Sequence, residues 1–130
     1  MFNALDTASS GVTLSRVWMD ATSDNVANVN TVRPAGDEPF RARLVVAQSR
    51  TVLRGVDAVA IEEQQGDPEI VYDPDNPLAD PEGYVTRPKV DLSQEMTNML
   101  MASRLFQANI SVMQQARETY ASALRIGSGA

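Results

Sequence analysis

Apolar and small residues recur at alternating intervals of three and four at both ends of the chain. Near the start they fall at Leu5, Ala8, Val12, Ser15, Met19, Thr22, Val26 and Val29. That rhythm is the heptad-like seam of an amphipathic helix. It predicts a helix over residues 4–31, ~40 Å long at the α-helical rise. Asn3 suits the capping position and Asp6 suits the first turn, where the helix dipole favours negative charge. Pro34 stops the pattern.

The other end repeats the rhythm over residues 91–126. Leu92, Met96, Met99, Ser103, Phe106, Ile110, Met113, Tyr120 and Leu124 hold the seam, and Arg117 is its one charged interruption. Asp91 followed by Gln94 has capping-box spacing, and Gly127 is placed to end the helix. This second helix would run ~50 Å.

Between them the pattern changes. "FRARLVVAQ" (40–48) and "VDAVAIEEQ" (56–64) alternate in part and are rich in Val, which predicts two strands punctuated by Arg54-Gly55. Residues 67–88 then carry five prolines, at 68, 74, 77, 81 and 88. That density predicts a turn-rich arm or linker without helix or central strand. The expected fold is mainly α, with long N- and C-terminal helices pairing as a coiled-coil-like hairpin. A short-strand and Pro-rich insert (32–90) separates the helices (1–31 and 91–130). Each seam is narrow, as in coiled coils. Two readings follow from the pattern: helices completed by other chains, or a helical hairpin with its own closed core.

Composition removes several chemistries. There is no cysteine, so disulfides and thiolate metal sites are excluded. There is no histidine, the commonest general base and metal ligand. The net charge is −6, and no basic stripe of the kind that binds nucleic acid is present. Charge is uneven. Residues 1–31 sum to −2, 32–89 to −4 and 90–130 to zero. The middle is the solvated part and the ends are weakly charged stripes, an interaction pattern more than an enzyme pattern. No run approaches the ~18 apolar residues of a membrane span. The N-terminus lacks the basic start and unbroken apolar core of a cleaved secretory signal. The residues alone therefore predict a cytoplasmic protein.

No catalytic or metal motif emerges. "DPDNPLADPEGY" (73–84) fails as a calcium loop, because Pro77, Leu78 and Tyr84 stand where Asp or Asn, Gly and Glu are required. Asp37-Glu38 and Glu62-Glu63 are adjacent pairs; on a strand, neighbours point to opposite faces and make poor acid–base partners. No cofactor is expected. The methionines of the last helix, Met96, Met99, Met101 and Met113, suit either a core or a surface fitting several slightly different neighbours.

"DNVANVNT" (24–31) ends the first helix in amides. Asn25, Asn28 and Asn30 are poor helix formers. They mark either a frayed end or polar groups that fix register in an apolar seam.

The segment "SGVTLSRVWMDATSDNVANVNT" resembles the N-terminal signature of flagellar basal-body rod proteins. Ser10-Gly11 precedes a helix holding Arg16 and Met19, which closes on Asn25, Ala27, Asn28, Asn30 and Thr31. "VDLSQEMTNMLMASRLFQANISVMQQA" is similar to the C-terminal signature through Glu95, Met96, Met99, Ala102, Ser103, Arg104, Phe106, Ala108 and Asn109. "EPFRAR" and "YDPDNPLADPEGYVTRPKVD" resemble the short insert of the proximal-rod members. Asn76, Lys89 and Asp37-Glu38 depart from that pattern, in turns and surface loops.

The resemblance implies a structural protein without catalysis, with its helices in the inner tube of the rod and its insert outside. Implied partners are copies of the chain, other rod subunits, the rod–ring junction protein and the type III export gate, with neither nucleic acid nor membrane insertion. It also implies export without a cleaved signal to a rod crossing the periplasm, which replaces the cytoplasmic reading. Phe2 and Leu5 are candidates for the export signal. The expected assembly interface is Leu5, Val12, Met19, Asn25, Val26, Asn28, Val29, Asn30, Met96, Met99, Arg104, Phe106, Asn109, Ile110, Met113, Tyr120 and Leu124. Arg104 is expected to pair with Asp20 or Asp24 of a neighbour.

Overall fold

A computed structural model describes residues 2–50 and 54–128. The side chain of Phe2, a candidate for the export signal, lies outside the described residues. Helix α1 runs Phe2–Asn28 and helix α2 runs Leu92–Ser128. Between them lie five strands: β1 Arg33–Pro34, β2 Arg43–Ser49, β3 Val56–Glu63, β4 Glu69–Tyr72 and β5 Tyr84–Arg87. The chain is therefore mainly helical with a small antiparallel β insert, as the periodicities predict.

The two helices pack antiparallel. Asn25 meets Glu95 at one end, and Gly11 meets Asn109 three to four turns away. The hairpin β2–β3 is antiparallel, with a bulge between Val46 and Ala47, and it packs on α1. Its seven-residue β2 covers about the same ~23 Å as the sixteen residues of α1 from Asn25 back to Ser10. Both ends of the hairpin are tied down. Arg43 bonds Asn25, and the Val56 N–H donates to Ser10 Oγ at 3.1 Å. The turn there needs Gly55: its φ is +135°, and a methyl group on it would lie 2.6 Å from Ser10 Oγ. Helix α1 is thus the central element, with α2 on one side and the hairpin along it. Among the described residues α2 packs on α1 and on no other element.

The strands 40–48 and 56–64 appear at nearly the expected positions. The Pro-rich arm is corrected. It contains two strands, and β5 is the central strand of a second sheet of order β1-β5-β4. The prolines stand outside those strands. Pro68 precedes β4, Pro74, Pro77 and Pro81 fill the connection, and Pro88 follows β5. No ladder hydrogen bond is lost. The connection is set by its own side chains: Asp73 Oδ2 accepts from Asn76 Nδ2 at 3.1 Å, and Asp80 Oδ1 accepts from the Tyr84 N–H at 2.7 Å.

Both helix ends also differ from expectation. Helix α1 stops at Asn28, six residues before Pro34, which lies in β1. Asp91 Oδ1 caps α2 by accepting from Ser93 N (2.9 Å) and Gln94 N (3.2 Å). Gln94 does not complete the capping box, because its Nε2 donates to Asn98 instead. Gly127 lies within α2 and does not end it.

The interior is small. The buried apolar residues are Ala8, Ala21, Ala42, Val85 and Ala102, while Ser10, Ser15, Thr22, Asn25, Thr86 and Glu95 are buried polar ones. Alanine buries one methyl, so the apolar contribution per residue is slight. Close approach and satisfied hydrogen bonds hold the helix pair more than hydrophobic bulk does. No helix of the described residues is long and apolar enough to cross a membrane.

Candidate assembly interface

The seam between the helices is rotated by one position from half of the expected one. On α1 the first set, Ala8, Ser15 and Thr22, is buried as expected. The second set is not Val12 and Val26, which are half-buried, but Gly11 and Asn25; between them Trp18 and Met19 are both half-buried. On α2, Met99, Phe106 and Met113 face the seam. Their companions are Glu95, Ala102 and Asn109, while Met96 is 61% exposed. Small residues win the inward positions because they let the backbones approach. A methyl group on Gly11 would stand 2.7 Å from the Asn109 side chain. Ser15, fully buried, satisfies its hydroxyl on the Gly11 carbonyl at 2.6 Å.

The amides of 24–31 have separate duties. Asn25 is 1% exposed and joins three segments. Its Oδ1 accepts from the Arg43 N–H at 2.7 Å. Its Nδ2 donates to the Arg43 carbonyl at 3.0 Å and to Glu95 Oε2 at 3.1 Å. One side chain thus fixes the register of α1, β2 and α2. Asn28 Nδ2 donates to the Asp24 carbonyl and Asn28 Oδ1 accepts from Thr31, which closes the helix end. Asn30 Oδ1 accepts from Arg87 Nη2 at 3.0 Å and holds the arm's sheet to α1. Asn109 Nδ2 donates to the Leu105 carbonyl. Asp24, an expected partner of Arg104 from a neighbour, is engaged by Arg43 of its own chain.

The remaining expected residues divide by exposure. Leu5, Val12, Met19, Val26, Val29 and Ile110 are half-buried along the margins of the seam. Met96, Arg104, Tyr120 and Leu124 are exposed on α2. With Asn25 opposite Glu95 and Gly11 opposite Asn109, α1 ends opposite about residue 118. The last turns of α2 extend past it, and residues 117–127 are all exposed.

A stripe absent from the expected set lies on the outer side of α2. Met101, Leu105, Ala108 and Val112 follow each other at spacings of four, three and four, and all are exposed. Charge is absent from this stripe, and the large side chains are 53%, 39% and 45% exposed in turn at Met101, Leu105 and Val112. The heptad signal was present in the sequence, but a helix with two apolar stripes does not say which one faces its own partner. Beside the seam, Asn3, Thr7, Arg54, Asn109 and Val112 border an open groove of about 550 Å³.

The strongest ion pair is on the hairpin. Arg50 Nε and Nη2 donate to the Asp57 carboxylate at 2.5–3.0 Å. Those bonds hold the Asp57 carboxyl below the usual carboxylate range and raise Arg50, against a smaller opposing effect of burial. The pair is solvent-facing, so its contribution is small. It braces the turn end of the hairpin and offers no acid–base chemistry.

Comparison with known proteins agrees with this architecture at both ends. Residues 5–34 match the family model "Flagella basal body rod protein", and residues 82–126 match "Flagellar basal body rod FlgEFG protein C-terminal". The flagellar basal-body rod protein FlgC of Escherichia coli O6:H1 is 34% identical over 131 residues, covering 98% of each chain. That of Bacillus subtilis is 33% identical over 146 residues, covering 97% of each. That of Borreliella burgdorferi is 31% identical over 150 residues, covering 99% of each. These similarities run the length of the molecule: the chain belongs to the FlgC family of flagellar basal-body rod proteins.

Proposed function

We infer that this structural subunit, which is not an enzyme, builds the proximal rod by packing the outer faces of its terminal helices against neighbouring subunits, copies of itself among them. The observation that carries this reading is α2: 37 residues long, packed on α1 alone, with an uncharged apolar stripe left open. Met101, Leu105 and Val112 are 53%, 39% and 45% exposed, so covering what remains against a neighbour is worth about 1 kcal/mol per side chain. A head-to-tail contact that does not close on itself generates a helical tube, the form needed to transmit torque. The overhanging end of α2, with Tyr120 and Leu124, and the seam margins at Leu5, Val12, Met19, Val26 and Val29 complete the surface.

The subunit reaches the rod across the periplasm through the type III export gate, without a cleaved signal. The absence of disulfides suits passage of an extended chain. The rod–ring junction protein is a further neighbour. The clamped end of the helix pair, at Asn25 and Glu95, is formed before assembly. The far end, where α2 outruns α1, is ordered by the neighbour.

The test is incorporation into basal bodies. Met101→Glu/Leu105→Glu changes only exposed positions, so helicity and melting of the purified subunit stay near those of the parent. Basal bodies from cells carrying the variant then lack the subunit, and motility is lost. Normal incorporation of the double variant refutes the reading.

A further inference from the structure

The arm carries an exposed surface of its own. In the edge strand β4, Ile70 and Tyr72 project from one face, 67% and 64% exposed. Tyr84 of β5 stands beside Tyr72, with ring centroids 5.3 Å apart at 64°. Around this apolar centre the chain from Gly66 to Gly83 carries six carboxylates and no Lys or Arg. Asp73 and Asp80 are used within the turn. Asp67, Glu69, Asp75 and Glu82 have no ion-pair partner among the described residues. Such a surface repels its own image, so edge-to-edge pairing of two β4 strands is disfavoured.

The complementary surface is on α2. Met96, Leu100 and Arg104 follow one another at i, i+4 and stand exposed on a different side of the helix from the Met101–Val112 stripe. Between Met96 and Arg117 the helix holds two arginines and no acid, and neither arginine has an ion-pair partner among the described residues. Within one subunit the arm's sheet and α2 do not meet.

We propose that the acidic, aromatic face of the arm (Ile70, Tyr72, Tyr84) docks on the Met96–Leu100–Arg104 stripe of a second copy of this chain. The contact joins two different surfaces, so it propagates head to tail. An apolar centre with aromatic anchors supplies affinity, and the charged rim supplies orientation. The docking leaves the Met101–Val112 stripe to neighbouring helices. This inference rests on the reading above, in which copies of the chain adjoin in the rod.

Because the chain has no cysteine, introduced thiols report the contact without background. Ile70→Cys and Leu100→Cys chains are co-expressed in one cell, and purified basal bodies are treated with a mild oxidant. A disulfide-linked dimer is expected from this pair, and none from Ile70→Cys with Val59→Cys, which places the second thiol on the hairpin. In parallel, Glu69→Lys and Arg104→Glu each reduce incorporation, and the two charge reversals combined in one chain restore it. If the chain is in the basal bodies but the dimer fails to exceed the control and the reversals fail to compensate, the docking is refuted while the rod assignment stands. Absence of the chain from basal bodies overturns both.

Discussion

Replacing Asn25 by leucine, a side chain of similar size, should unpick the joint between α1, β2 and α2. Three hydrogen bonds disappear, each worth ~1 kcal/mol net. The larger effect is on the partners left behind. Glu95 is only 7% exposed and its carboxylate loses its Asn25 donor, while the Arg43 N–H loses its acceptor and the Arg43 carbonyl its donor. An uncompensated buried group costs ~1–3 kcal/mol, more when charged. The sum is about 3–5 kcal/mol, a large share of the ~5–15 kcal/mol that stabilises a typical domain. The expected fall in Tm is ~10–20 °C.

Thermal and urea unfolding followed by helical circular dichroism measures it, and amide exchange at Arg43 should quicken. Asn25→Asp sets a second carboxylate against Glu95 and should also destabilise. Combining it with Glu95→Gln restores a donor and should recover part of the loss, a coupling that a double-mutant cycle isolates. A Tm for Asn25→Leu within ~2 °C of the parent, less than 1 kcal/mol, would refute the joint.

Gly11→Ala should lower Tm by ~5–10 °C, because the new methyl meets Asn109 at 2.7 Å and overpacking costs ~1–3 kcal/mol; adding Asn109→Ala makes room and should return most of the loss in the same melt. Gly55→Ala should loosen the hairpin from α1, since both its positive φ and its approach to Ser10 oppose a side chain; amide exchange at Val56 reads the effect. Asp57 is held below the usual carboxylate range, so its bond to Arg50 adds stability above the unfolded carboxylate pKa, and that increment is lost as pH falls through the folded value. Asp57→Asn should therefore narrow the difference in Tm between neutral and strongly acidic solution, by a small amount for so exposed a pair. With no histidine and no cysteine side chain to titrate, Tm should be nearly constant between about pH 6 and 9, and a His-like step in that range would contradict this.

The sequence made the two helices legible because each carries a sustained rhythm of three and four. Half of each seam was legible too: Ala8, Ser15 and Thr22 face Met99, Phe106 and Met113. The other half was misplaced by one residue, since periodicity assigns the inward position to the bulkier side chain. Here Gly11, Asn25, Ala102 and Asn109 lie inward, and Val12, Met19, Val26 and Met96 stand at the margin or outside. A close helix pair rewards smallness. The role of Asn25 depends on Arg43 and Glu95, 18 and 70 residues away, and no local pattern encodes such a meeting. The strands of the Pro-rich arm were masked by proline density, because a count of prolines does not record that every one falls between ladder positions. The outer stripe of α2 was written in the chain, but the inner seam competed for the same signal.

The antiparallel pairing gives the subunit a polarity of practical use. Residues 3–8 lie near residues 109–112, so the two described extremities emerge together at one pole, whereas the 74–81 connection belongs to the arm's sheet, which Arg87 ties to Asn30 just past the opposite end of α1. A fluorescent label fused at either extremity would therefore crowd the same pole as the overhang. A short epitope inserted between Asp75 and Leu78 would sit well away from it, making that connection the better address for tagging the subunit in living cells.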